Sequence, residues 1–284
     1  MIGRFSNPVL LKELKLRFRA FKSFSGLMFY LAVLCIFVAG FLLIYTQFSG
    51  TGFFKPSDSF TMFAVLSVLQ MGLVMFITPG LTAGAISTER EKQTLNILLT
   101  TTQSSTQIII GKLLSSVVFL ILMLVAGLPL YSLVFLFGGV SPSQFITIFL
   151  FYLVTLIAIG SIGIMFSTIT KRTIVSMIAT YGAMIFLAGI TAFFFFVGVS
   201  MEQMQAQTGN VQTPFSPITY FWVSINPGAL MITTLYPDMG NALESLVGIS
   251  LPIWIVYLIF YLLITVICLF IATRKLRANM KTNR

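Results

Sequence analysis

The chain has 284 residues, 57% of them apolar and only 8% charged. A soluble domain carries roughly 25% charged residues, and a mean hydropathy of +1.01 excludes a water-soluble fold of this size. The net charge is +10, from 17 basic against 7 acidic side chains, which admits a nucleic-acid partner or a membrane surface. The positions of the charges decide between these two.

Histidine is absent. That excludes a Ser-His-Asp triad, a Cys-His dyad, an HExxH zinc site and a histidine proton relay. The two cysteines, Cys35 and Cys268, lie inside apolar runs. They are too few for a zinc cluster and read as small packing residues.

The first element expected is an N-terminal helix within residues 1–26. From Asn7 to Ser25, helical spacing puts Leu10, Leu14, Phe18 and Phe21 on one face. Lys12, Lys15, Arg19 and Lys22 share another, as in an interfacial helix that turns its basic residues to anionic lipid. Arg17 falls near the apolar face and Leu16 away from it, so the pattern is imperfect. A generic basic anchor that only sets topology reads the same residues equally well.

Six uncharged stretches follow, each near the 20 or so residues that cross a bilayer. They cover 27–48, 59–87, 113–137, 144–170, 173–200 and 247–273. The third and fourth are separated by Gly138-Gly139-Val140-Ser141-Pro142-Ser143, a turn composition. The predicted fold is all-α and integral to the membrane, with a six-helix domain over 27–273. A basic tail occupies 274–284. A cleaved signal peptide is not expected, because the first apolar run is longer than a signal core.

Basic residues fall on one side of these spans. Six lie before the first span (Arg4, Lys12, Lys15, Arg17, Arg19, Lys22). Three lie between the second and third (Arg90, Lys92, Lys112), two between the fourth and fifth (Lys171, Arg172), and five in the tail. The opposite side has Lys55 alone. The positive-inside rule places both termini in the cytoplasm. Topology thus accounts for the charge without a nucleic-acid partner. The spans hold no ionisable Asp, Glu, Lys, Arg or His, which argues against a proton- or sodium-coupled carrier.

Two loops carry pattern. In the loop 87–107, Thr88 and Glu91 fit a capping box, and Leu95, Leu98 and Leu99 form an i, i+3, i+4 patch. Such a patch either packs on the ends of its own spans or docks a soluble partner. The outer loop 201–246 opens with a Gln-rich stretch, Met201–Thr213, read as flexible. Two apolar pieces, Ile218–Ile225 and Ala229–Tyr236, follow, separated by Asn226-Pro227-Gly228. Each is too short to span and suits a half-helix dipping from the outer surface. A surface cap is the plainer reading. No Walker A site exists: Gly111-Lys112 has Thr106 where the first Gly belongs and Leu113 in place of Ser or Thr.

Two motifs resemble the permeases of ABC-2-type transporters. One is Asn7-Pro8-Val9-Leu10-Leu11-Lys12-Glu13-Leu14 with Arg17 and Arg19 downstream. The other runs Ile86-Ser87-Thr88-Glu89-Arg90-Glu91-Lys92-Gln93-Thr94-Leu95-Asn96-Ile97-Leu98-Leu99, then Ile110-Gly111-Lys112. Gln93 stands where that family frequently has Gly.

The resemblance implies a permease subunit of an ATP-driven exporter. It implies pairing with a second permease copy or a related permease, and binding of separate P-loop ABC ATPase subunits that hold ATP and Mg. No cofactor or metal is expected on this chain and no catalytic residue. The first loop would be the coupling helix, with Glu89, Arg90, Glu91, Thr94, Leu95, Leu98 and Leu99 at the ATPase contact. The N-terminal helix would lean on the same partner. A prokaryotic plasma membrane suits the pattern. The alternative is a non-transporting membrane receptor or immunity protein that binds a toxin or peptide through its outer loop. A passive channel ranks below that, and an intramembrane enzyme last.

Overall fold

The structure is a computed structural model that describes residues 8–19, 21–48, 56–95, 103–207, 217–247 and 251–282. All regular elements among these residues are helices. They are α1 (Pro8–Arg19), α2 (Phe21–Phe48), α3 (Pro56–Thr82), α4 (Ser87–Glu91), α5 (Ser105–Phe137) and α6 (Pro142–Ile169). Then come α7 (Thr173–Ile185), a π-helical turn (Phe186–Ile190), α8 (Thr191–Gln207), α9 (Pro217–Ile225), α10 (Pro227–Leu235), α11 (Pro237–Val247) and α12 (Ile253–Thr282).

Among the described residues, six helices are long and apolar enough to cross a membrane: Phe24–Tyr45, Ser57–Glu91, Ser105–Phe137, Pro142–Ile169, Thr173–Met201 and Ile253–Leu276. Helix is the form expected there, since it satisfies every backbone polar group within one segment. The second, third and fourth spans are at least half buried inside the chain, while the first, fifth and sixth bury about a fifth or less. Helix α6 is the hub, packed against α12, α3, α7 and α5.

Several element boundaries differ from the sequence expectation. Helix α5 begins at Ser105, eight residues before the predicted span, because Ser104 and Gln107 form a reciprocal capping box that the sequence reading passed over. The Gln-rich stretch is helical through Gln207, its remainder lying outside the described residues. The sixth span starts at Ile253 after Pro252, while Val247 closes a separate helix, α11.

Small and hydroxylated residues let the helices approach closely, as is common within membranes. A Cβ on Gly163 of α6 would lie 2.2 Å from Thr82 Oγ1 and 3.3 Å from the Ala83 nitrogen. The core also holds tyrosines with satisfied hydroxyls. Tyr30 donates to Gln70 Oε1 at 2.9 Å, Tyr152 to the Ser67 carbonyl at 2.9 Å, and Tyr261 to the Ile225 carbonyl at 3.1 Å.

Candidate functional site

The turns joining the second to the third span and the fourth to the fifth meet at one end of the bundle. Helix α1 and the Arg274 end of α12 reach the same end. Arg17 and Glu13 of α1 contact α5 and the end of α3. Arg274 lines a hollow with Gln103 and Ser104.

The chain leaves α3 through Ala83–Ile86 and turns into the five-residue α4. Ser167 of α6 holds this turn. Its Oγ accepts from the backbone N–H groups of Ile86 and Ser87, both at 2.9 Å, and lies 3.2 Å from Ser87 Oγ. The anticipated capping box does not form. Ile86 occupies the cap position with no side-chain bond, and Thr88 and Glu91 both turn to Thr173.

Three consecutive charged residues then grip three different elements. Glu89 accepts from Lys112 Nζ of α5 at 2.7 Å. Lys112, 5% exposed, also donates to Glu13 of α1 at 2.9 Å, so one ammonium joins α1, α4 and α5. Arg90 donates from its two terminal nitrogens to the carbonyls of Thr168 and Thr170, at 3.0 and 2.6 Å. Those carbonyls end α6, where helical carbonyls lack in-helix partners and cations are favoured. Glu91 accepts from the backbone N–H and the hydroxyl of Thr173, both at 2.8 Å. Thr173 opens α7, where an anion is favoured. The neighbouring residues Arg90 and Glu91 thus cap opposite helix ends across one short turn.

After Glu91 the loop changes direction at Gln93, the only non-glycine with positive φ (59°) among the described residues. A left-handed residue ends a helix with least strain when it is glycine. The frequent Gly of the resembling family at this position has a steric explanation. Lys92, Gln93 and Thr94 are exposed, whereas Leu95 is 6% exposed and packs in the core. Leu95 therefore packs on its own spans in this chain. Leu98 and Leu99 lie outside the described residues.

The face that α1 turns to the bundle also differs from the expected one. Leu10, Glu13, Leu14 and Arg17, spaced i, i+3, i+4 and i+7, are half-buried. Lys12, Lys15 and Arg19 are exposed, and so are Leu11, Phe18 and Phe21. Arg17 belongs inside because it has partners there. Its Nη2 lies 3.3 Å from Ser116 Oγ and 3.5 Å from the Leu81 carbonyl, and its cation sits 5.8 Å from the Phe119 ring centre. Burial pulls the Arg17 pKa below its usual value, and the nearby Glu13 carboxylate opposes that shift.

Away from this end, α9 and α10 meet at Asn226, which is buried. Its Oδ1 accepts from the Ala229 N–H at 2.9 Å and so caps α10. Its Nδ2 donates at 2.7 Å to both the Ala188 carbonyl and Thr191 Oγ1, at the π-helical turn of the fifth span. Pro227 opens α10 beside it, and at Gly228 a Cβ would lie 3.2 Å from Asn226 Oδ1. Ala188 precedes Met201 by thirteen residues, about 20 Å at 1.5 Å per residue. The break between the two short helices therefore sits beside the middle of the fifth span. Gln144 closes the far end of α10, donating to the Leu235 carbonyl at 3.2 Å. A second break, at Tyr236 before Pro237, adds α11, which the sequence reading did not separate.

Among the described residues no group of three or more metal-ligating side chains occurs. The chemistry of the site is ion pairing and helix capping.

The family model described as ABC-2 family transporter protein matches residues 43–274. The chain belongs to that family. It is an ABC-2 permease, a multi-pass membrane protein of an ABC transporter. The match takes in the Glu89–Glu91 clamp and the paired outer helices and leaves α1 outside. ABC-2 permeases work in general with ABC ATPases. No curated protein matches the chain.

Proposed function

We propose that this ABC-2 permease is the membrane subunit of an ATP-driven exporter, coupled to separate ATPase subunits through the loop after its second span. The clamp at Glu89, Arg90 and Glu91 carries the reading. One short helix is bonded to α5, to the end of α6 and to the start of α7, and Lys112 of α5 extends the link to α1. A force on that helix moves four elements together, which is what coupling requires.

The exposed tip Lys92-Gln93-Thr94, continued by Leu98 and Leu99, is the ATPase contact. Glu89, Arg90, Glu91 and Leu95 hold the tip against the bundle. Helix α1 flanks it, with Lys12, Lys15 and Arg19 toward anionic lipid headgroups and the partner. The one-sided distribution of basic residues puts this end and both termini in the cytoplasm. The paired half-helices α9 and α10 then enter the membrane from outside, with the Asn226-Pro227-Gly228 break at their deepest point. The sparsely buried faces of the first, fifth and sixth spans leave surface for lipid and for a second permease, identical or related, at the pathway. ATP and Mg reside on the ATPase, and the chain itself is not an enzyme. A prokaryotic plasma membrane is the proposed location.

Each conformation must bind ATP-loaded and ATP-free partners differently, or nothing is coupled. The test is affinity capture of the tagged permease from its host in mild detergent, followed by mass spectrometry and an ATPase assay. Wild type retains a P-loop ATPase. The double substitution Lys92→Glu, Thr94→Arg stays monodisperse and loses it. A wild-type permease that brings down no ATPase, or a variant that retains it fully, overturns the assignment.

A further inference from the structure

A cavity of about 760 Å³ lies between the fourth span, the sixth span and the outer helices α10 and α11. Its size falls within the roughly 300–1,000 Å³ of ordinary ligand sites. Thr147, Leu150, Phe151 and Val154 form its wall on α6, spaced i, i+3, i+4 and i+7. Leu150 and Trp254, 55% and 49% exposed, border it. The cavity therefore opens sideways between two membrane-spanning helices, where bilayer lipid surrounds the protein.

Its two ends differ in chemistry. The threonines in the wall have spent their hydroxyls on backbone. Thr147 donates to the Ser143 carbonyl at 2.9 Å and Thr234 to the Leu230 carbonyl at 2.7 Å. Val154 and Leu258 line the wall with them. The polar end is Asn241 and Glu244 of α11. Glu244 accepts the Ile253 N–H at 3.2 Å. Among the described residues both ion pairs involve Lys112 at the far end of the bundle, so none pairs Glu244 with a cation. A carboxylate with no cation beside it among the described residues, set above an apolar slot, is complementary to an amphiphile with a cationic head.

We infer that this cavity binds one lipid of the surrounding bilayer whose head group carries an ammonium, with the ammonium on Glu244 and an acyl chain between α6 and α12. The inference rests on the membrane-spanning fold and is independent of how the permease is coupled.

The chain has two tryptophans, and Trp254 stands at the cavity mouth. The full-length permease carrying Trp222→Phe, placed in nanodiscs, reports on this site alone. The probes are phosphatidylethanolamine and phosphatidylglycerol with brominated acyl chains, each at the same fraction of the bilayer. Bromine quenches a touching indole. The expected result is quenching by phosphatidylethanolamine at about a threefold lower lipid fraction, the scale of one partly exposed charge pair. In Glu244→Gln, which keeps an acceptor for Ile253, the two lipids quench alike. In Val154→Phe, which fills the slot, phosphatidylethanolamine loses its advantage while the fold, followed by gel filtration, is kept. Equal quenching by both lipids in the parent marks an annular contact and overturns the site. So does a preference that survives Glu244→Gln. Saturable quenching by brominated dodecyltrimethylammonium from solution, without any preference between the lipids, replaces the bilayer lipid by a soluble cation and also overturns it.

Discussion

Arg90 reaches the Thr170 carbonyl at 2.6 Å, eighty residues on in the chain, and closes the end of the fourth span with a second bond to Thr168. The bond ties the loop after the second span to the hub helix. The guanidinium fork matches two adjacent orphan carbonyls, a geometry that an ammonium cannot reproduce. Arg90→Gln is expected to lower stability by about 1–2 kcal/mol, since hydrogen bonds to charged groups contribute on that scale and the site is partly solvated. Arg90→Lys should recover less than half of the loss. Thermal unfolding in detergent, followed by tryptophan fluorescence, reads both. Full recovery by lysine would mean that charge alone matters there.

Lys112 serves two carboxylates at once, Glu13 at 2.9 Å and Glu89 at 2.7 Å. Removing it leaves two acids facing each other beside a buried position. Lys112→Met should therefore cost more than either Glu13→Gln or Glu89→Gln alone, about 2 kcal/mol against less than 1, because the acids keep a quarter of their exposure. The two glutamate substitutions should not be additive, since residues sharing one partner couple. A double-substitution cycle on thermal stability measures this, and strict additivity would separate α1 from the loop energetically.

Gln93 carries the left-handed backbone (φ 59°) that turns the chain after α4. A side chain there costs about 1 kcal/mol relative to glycine. Gln93→Gly should raise the unfolding temperature of the permease in detergent by a few degrees, in contrast to the usual loss on adding glycine. Gln93→Val, branched at Cβ, should lower it. An unchanged or lowered midpoint for Gln93→Gly would show that the loop relaxes out of this conformation.

Asn226 caps α10 and also donates to Ala188 and Thr191. Asn226→Asp keeps the cap acceptor and loses both donated bonds. Loss of a cap alone costs about 1 kcal/mol, whereas an unpaired buried carbonyl costs about 1–3 kcal/mol. Asn226→Asp should thus be at least as damaging as Asn226→Ala, which loses both functions but buries no charge. Thermal stability of both variants decides it. An aspartate as stable as wild type would confine the role of Asn226 to capping.

The chain's spans are legible because length and hydropathy alone define them, and charge asymmetry orders them. The faces of the helices are not. In a bilayer the outside of a span is as apolar as its inside, so Leu150 against lipid and Leu156 in the core look alike in sequence. The N-terminal helix shows the converse. Its inward face includes the charged Glu13 and Arg17, which a search for apolar faces does not select, because their partners Lys112 and Ser116 come from a helix 99 residues later. Leu95 was equally ambiguous: an i, i+3, i+4 leucine patch has the same spacing whether it meets its own spans or a partner. The Asn226-Pro227-Gly228 break was readable from turn chemistry. Its depth was not, since the π-helical turn that receives Asn226 leaves no mark in Phe186–Ile190.

That π-helical turn acts on everything beyond it like a shift in reading frame. One extra residue in the helical path rotates all later side chains by about 100°. The orientation of α8 is therefore set at Phe186–Ile190. Gly198, eight residues further on, faces Thr219 so closely that a Cβ would lie 2.4 Å from its hydroxyl oxygen. Rewinding the same residues into a regular α-helix would leave composition and hydropathy unchanged. It would swing Gly198 off Thr219 and bring a neighbouring valine toward the seam. The outer half of the fifth span is thus indexed by one residue, in a segment where a hydropathy profile registers nothing.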